Sequence, residues 1–204
     1  MDVKSIIKNA LVLCAITLVA GLALGLTHEI TTPLIEQVNE EKAQKTYKEV
    51  FPDADHFGTA EEMESAVDVC ALIISQQDYS EATVDACMKA YDASGNVIGY
   101  VVTASCPKGY GGTVTVSVGI DKTNAKVTGV GFLTLNETAG LGMKAKEPLF
   151  KDQFSTKRAT ELTVIKSGEA DASQVQAISG ATRTSKAVTN AVNAAVYFVM
   201  VCLG

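Results

Sequence analysis

Residues 113–121 read TVTVSVGID. The alternation is strict, so Val114, Val116, Val118 and Ile120 share one side of an extended chain, while Thr115, Ser117, Gly119 and Asp121 share the other. Turn residues bracket the stretch: PKGYGG at 107–112 precedes it, and residues 121–126 follow it. Two further runs, VIGYVVTA at 97–104 and VTGVGFLTL at 127–135, read as its neighbours, and DASGN at 92–96 turns the chain into the first of them. The expectation is an antiparallel sheet of about four strands beginning near Met88. Residues 162–166 add a short strand, and 144–156 are mixed with some helical character. From 184 to 203, Val188, Ala191, Val192, Ala195 and Val199 recur at helical spacing, which predicts a helix packed on the sheet. Strands followed by a packing helix define an α+β domain.

The opposite end of the chain is built differently. Residues 9–27, NALVLCAITLVAGLALGLT, are 19 consecutive uncharged positions, long enough at about 1.5 Å per residue to cross a hydrocarbon core of about 30 Å. The alternative is a cleaved secretory signal, whose apolar region is shorter, about 7–15 residues. Lys4 and Lys8 on one flank, against His28 and Glu29 on the other, put the N-terminus in the cytoplasm and everything after residue 28 outside. The apolar run at 194–203 is too short to span and reads as a buried helix. Beyond the membrane helix, Thr32 and Pro33 suggest the N-cap and first position of a second, solvated helix ending near Phe51 and Pro52. The acidic residues at 53–55 and 61–62 read as irregular surface. The expected divisions are therefore an anchor at 1–28, a helical and irregular membrane-proximal segment at 29–87, and a folded domain at 88–204.

Composition removes several classes of function. The 204 residues carry a net charge of −6 with no tryptophan and 6% aromatics, which suits neither a phosphate-backbone partner nor a base-stacking surface, so no nucleic acid is expected. Cys14, Cys70, Cys87, Cys106 and Cys202 have no spacing that suits zinc or an iron–sulfur cluster, so no metal site is expected. The four outside the membrane helix read as buried free thiols. A disulfide is the alternative, with Cys70 and Cys87 the nearest pair. His28 and His56 stand alone, and no acid/base pair or activated nucleophile is evident, so no residue is assigned a catalytic role.

One stretch resists a purely structural explanation. Residues 177–186, AISGATRTSK, place Ser179, Thr182, Thr184 and Ser185 at the start of the final helix. A helix cap accounts for one or two of those hydroxyls. Small residues ahead of free helix N–H groups also suit a bound anion such as phosphate.

The stretch ISGATRTSKAV before a C-terminal helix resembles the signature of FMN-binding domains that carry flavin mononucleotide on a threonine through a phosphoester. Three other features follow the same family in order: the single N-terminal anchor, KGYGGTVTVSVGID, and the NETAGLG loop followed by Phe150, Gln153 and Phe154. Together they resemble the G subunit of the Rnf electron transport complex, with the C subunit of the sodium-translocating NADH:quinone reductase as a longer relative. Two positions depart from the family pattern. Gln176 stands where the attachment signature carries aspartate, and Ala139 stands where the loop carries proline.

The resemblance implies one covalent FMN per chain, attached at Thr182 from FAD by a separate magnesium-dependent flavin transferase. Ser179, Gly180, Ala181, Thr184 and Ser185 would surround the phosphate. Glu137, Thr138, Gly140, Leu141 and Gly142 would lie against the isoalloxazine ring, flanked by Lys144 and Tyr110. It further implies a single-pass protein of the bacterial cell membrane, held by lipid and by the other Rnf subunits, which carries electrons between ferredoxin and NAD while sodium or protons move. Two other classes stay open on the residues alone: a membrane-anchored extracytoplasmic anion-binding module, and a pilin-like structural protein.

Overall fold

The computed structural model describes residues 3–59, 61–74, 76–77 and 81–203. Asp2, one of the N-terminal charges, lies outside them. The chain forms two compact units, residues 1–43 and 44–204.

The first unit is helical, made by the greater part of α1 (Val3–Val50). Residues Ile7–Glu29 have a mean hydropathy of 2.4 and no burial within the structure, as a helix facing lipid requires. The expected break at Thr32 and Pro33 does not occur, and the helix continues through both. A proline inside a helix loses one amide donor and crowds the carbonyl four residues earlier, a cost that the continuous helix absorbs. The Thr31 and Thr32 hydroxyls meanwhile donate to the Thr27 and His28 carbonyls, at 2.7 Å each, instead of capping a new helix.

The second unit is built on five antiparallel strands in sequential order: β1 (His56–Gly58), β2 (Thr83–Tyr91), β3 (Val97–Cys106), β4 (Val114–Asp121) and β5 (Lys126–Thr134). The register across its centre pairs Val102 with Val118, and Val118 with Val130. Two aspartates shape the turns. Asp92 accepts the Ser94 and Asn96 amides at 2.8 and 2.9 Å, and Asp121 accepts the Asn124 amide at 2.9 Å. The bonds from Asn96 hold the Asp92 carboxyl below its ordinary pKa.

The β4 face predicted from alternation is buried as expected: Val114, Val116, Val118 and Ile120 belong to the main core with α4 (Thr182–Tyr197). The opposite face is also covered, by the last turn of α1. Gly119 permits this approach, because a Cβ there would sit 2.3 Å from the Val50 carbonyl oxygen. Thr128 donates its hydroxyl to that same carbonyl, satisfying one of the acceptors that a helix end leaves open.

Two corrections concern residues 53–83. The stretch read as irregular holds β1 and a second helix, α2 (Glu61–Ile74). Met63, Ala66, Val67, Cys70 and Ile74 recur at helical spacing and pack on the core, so the apolar stripe outweighs the surface charge between them. The thiols are corrected too: Cys70 of α2 forms a disulfide with Cys202, with Cα atoms 6.3 Å apart and a sequence separation of 132. The fold, not sequence proximity, brings that pair within bonding reach. Cys87 and Cys106 are buried free thiols. Burial pushes the Cys87 thiol up to about 12, slightly offset by Lys89, and also raises Cys106.

After β5 the chain makes a short 3-10 turn (Gly142–Lys146), α3 (Pro148–Lys151) and a second 3-10 turn (Phe154–Thr156). Two short strands, β6 (Thr163–Ile165) and β7 (Gln174–Gln176), then pair in parallel apart from the main sheet. Asn193 on α4 joins them to the core. Its buried amide donates to the Leu162 carbonyl and accepts the Leu162 N–H, at 2.9 Å each.

Candidate functional site

The AISGATRTSK stretch runs from the end of β7 into the first residues of α4. The Ala181 amide donates to the Ile178 carbonyl at 2.9 Å, closing a turn whose third residue, Gly180, has φ +76°. Glycine is the residue that takes this conformation without a steric cost. A Cβ at Gly180 would also come within 3.1 Å of Leu141. The turn delivers Thr182 as the first residue of α4, half-buried and reachable from solvent.

Despite four nearby hydroxyls, the α4 N-cap is Ala181, and no side chain caps the helix. Ser185 is buried and committed twice. Its Oγ accepts the Ile178 amide and donates to the Ala181 carbonyl, at 3.0 Å each, so it fixes the turn from inside. Thr184 is buried as well, while Ser179 is exposed. The cluster thus separates into two inward hydroxyls that set the shape and two outward ones, Ser179 and Thr182, that solvent can reach. The uncapped amides of the first helical turn favour a negative charge at this end.

Two glycine-bearing loops close over the same helix end. Glu137 accepts the Tyr110 amide at 2.8 Å, joining residues 136–142 to residues 107–112. A Cβ at Gly142 would lie 2.7 Å from Glu137 Oε2 and 2.8 Å from Thr184 Oγ1, so this close approach also requires glycine. The loop folds on itself, because Thr138 accepts the Leu141 and Met143 amides through its carbonyl. Gly140, with φ +76°, turns it outward, leaving Leu141 43% and Tyr110 72% exposed.

Beside the turn is a cleft of about 470 Å³, lined by Lys144, Glu147, Leu149, Phe150, Gln153, Gln176 and residues 177–179. Leu149 is 87% exposed at its rim. Gln153 holds one wall in place: its Oε1 accepts the Gln176 amide at 2.8 Å, and its Nε2 donates to the Gln176 carbonyl at 3.3 Å. The family resemblance places Lys144 and Ser179 near a ligand, whereas Glu147, Leu149 and Ile178 carry no motif that singles them out. The fold therefore gathers Thr182, Ser179, Gly180, Ala181, Leu141, Gly142, Glu137 and Lys144 into one region, with Tyr110 on the adjoining loop.

A family model described as FMN-binding domain matches residues 109–197, and one described as RnfG N-terminal region matches residues 1–50. The chain is thus a membrane-anchored protein with an FMN-binding domain. It is 35% identical to the G subunit of the Na(+)-translocating ferredoxin:NAD(+) oxidoreductase complex of Acetobacterium woodii, over 95% of this chain and 91% of that one. It is 31% identical to the proton-translocating counterpart of Clostridium ljungdahlii, over 96% and 90% of the two chains. It is also 31% identical to the G subunit of the ion-translocating oxidoreductase complex of Methanosarcina acetivorans, over 97% and 96%. The chain belongs to the RnfG family, the G subunits of Rnf complexes. The solved structure of Shewanella oneidensis NqrC is similar at 21% identity with a TM-score of 0.46, over 73% of this chain and 67% of that one, which by itself decides nothing.

Proposed function

We propose that this chain is the FMN-carrying redox subunit of an ion-translocating ferredoxin:NAD oxidoreductase complex, with one FMN joined through its phosphate to Thr182. The observation that carries the reading is the presentation of Thr182: a reachable hydroxyl on the first turn of a helix with no side-chain cap, behind a glycine turn and beside a cleft. A phosphate suits the uncapped amides, and the partly apolar cleft suits a flat ring. Bound there, FMN would supply the electron transfer, which the protein's own side chains lack.

The chain's own part is to hold and orient. Ser179, Gly180 and Ala181 frame the phosphate, while the buried Thr184 and Ser185 keep the turn in shape. Glu137 holds the Tyr110 loop, and residues 138–142 with Leu141 form the edge that faces the ring, with Lys144 at the side of the cleft. Thr182 is a modified residue, loaded by a flavin transferase. The anchor, residues 1–28, sits in the lipid with its N-terminus in the cytoplasm, and the FMN-binding residues, carried by the unit at 44–204, lie outside beside the other subunits. The Cys70–Cys202 disulfide supports that side, because such bonds persist in oxidising compartments.

Intact-mass analysis of the full chain made together with its flavin transferase tests the attachment. The expected gain is one FMN less one water, located on the peptide containing Thr182, with fluorescence that survives denaturation. Thr182→Ala loses the adduct and Thr182→Ser keeps an acceptor hydroxyl. An unmodified chain that supports full electron transfer in the assembled complex contradicts the proposal. Flavin released on denaturation points instead to a reversible ligand-binding module.

A further inference from the structure

Thr182 itself lines a second cleft, of about 400 Å³, with different chemistry. Lys108, Lys166, Arg183 and Lys186 line it together with Thr182, Ala187 and Asn190, and among the described residues no carboxylate does. The four cations come from three separate segments: the loop between β3 and β4, the residue after β6, and the start of α4. In a chain with a net charge of −6, a cleft with only cationic charge in its lining departs from the average surface. Glu81 supplies a counter-charge, its Oε1 2.7 Å from Lys108 Nζ. Arg183 is held by its Nε, which donates to the Lys108 carbonyl at 3.0 Å. That bond uses one of the guanidinium's five donors.

We infer that Lys108, Lys166, Arg183 and Lys186 form an anion site for flavin phosphate groups: those of the incoming dinucleotide first, then the phosphodiester left on Thr182. The inference rests on the reading of Thr182 as flavin acceptor. In the attachment step, Thr182 Oγ bonds to the phosphorus on the ribityl side of FAD and the phosphoanhydride bond breaks. AMP leaves with that bond's electron pair, and the hydroxyl proton passes to a base of the transferase. The dinucleotide's two phosphates each bring a negative charge to this place, and the product keeps one. Four cations, one of them shared with Glu81, match the reactant more closely than the product. The cluster therefore acts chiefly while the flavin is being loaded. Exposed charges are screened by salt, so its contribution shrinks as ionic strength rises.

The test uses the full-length chain in detergent, purified without flavin, then supplied with flavin transferase, Mg²⁺ and FAD. Incorporation is followed at about 50 and about 500 mM salt, where the screening length falls severalfold. The double variant Lys166→Gln/Lys186→Gln is expected to load about tenfold more slowly at low salt, as loss of two charge-assisted contacts implies. Its rate should depend less on salt, and Lys166→Arg/Lys186→Arg should restore both. Both lysines are exposed, so thermal unfolding should be unchanged. The ³¹P resonance of the attached phosphodiester should move in the glutamine variant.

An unchanged rate, salt slope and resonance in a variant that still loads at Thr182 overturns the anion site and leaves the acceptor reading intact. Slower loading with an unmoved resonance means that the cluster recognises the transferase instead, which also overturns it. Wild-type chain that takes up no FMN at Thr182 removes the acceptor reading and this inference together.

Discussion

At the residue scale, the hydroxyls before α4 divide by burial. Their identities and spacing were legible in sequence, and so was the position of Thr182 at a helix start. Which hydroxyls face inward was not, because that depends on Ser185 meeting the Ile178 amide and Ala181 carbonyl across a turn. Cys87 shows the same limit, since only packing makes its thiol so weak an acid. Its folded pKa of about 12 exceeds the ordinary value of 9.0, so between those limits the unfolded chain ionises while the folded chain stays neutral. Stability is then fully present below pH 9 and declines as pH rises toward 12, by about 1.4 kcal/mol per unit from this group. Chemical denaturation at about pH 8 and about pH 10.5, on either side of the ordinary thiol pKa, should show a smaller alkaline loss in Cys87→Ala than in wild type. An equal loss in both would assign the alkaline effect to other groups.

At the scale of elements, the strands around residues 113–121 followed from period-two patterning, and α4 followed from its helical stripe. The helix α2 was not legible locally because its apolar stripe is carried by Met63, Ala66, Val67, Cys70 and Ile74 among acidic neighbours that by themselves suit an irregular surface. The close contact between β4 and the last turn of α1 was also invisible, since an isolated glycine in a strand does not name what approaches it. Gly119→Val places a Cβ 2.3 Å from the Val50 carbonyl and 2.2 Å from the Thr128 hydroxyl, and should cost about 1–3 kcal/mol in urea unfolding. The disulfide joins two elements distant in sequence, α2 and the turn after α4. Cys70→Ser/Cys202→Ser should lower stability by about 2–4 kcal/mol. A melting temperature equal to that of wild type under oxidising conditions would show that the bond constrains little.

At the scale of the whole molecule, the chain combines an apolar helix with a flavin domain. The flanking lysines and the disulfide lead to one topology. In intact cells, an epitope at the N-terminus should resist added protease until the membrane is opened, while the unit at 44–204 is digested from outside. The reverse pattern would place the flavin domain in the cytoplasm and deny the disulfide its oxidising surroundings.

The local pattern of this sequence determined what depends on neighbouring residues: the span near residues 9–27, the alternating strands, the last helix and the threonine at its start. The tertiary structure decided what depends on residues far apart in the chain. It covered the second face of the sheet, selected Cys202 as partner for Cys70, turned Ser185 inward, and gathered Lys108, Lys166, Arg183 and Lys186 around Thr182. Periodicity records which face of an element is apolar, but the partner of that face is set by close packing across long loops, which no local spacing encodes.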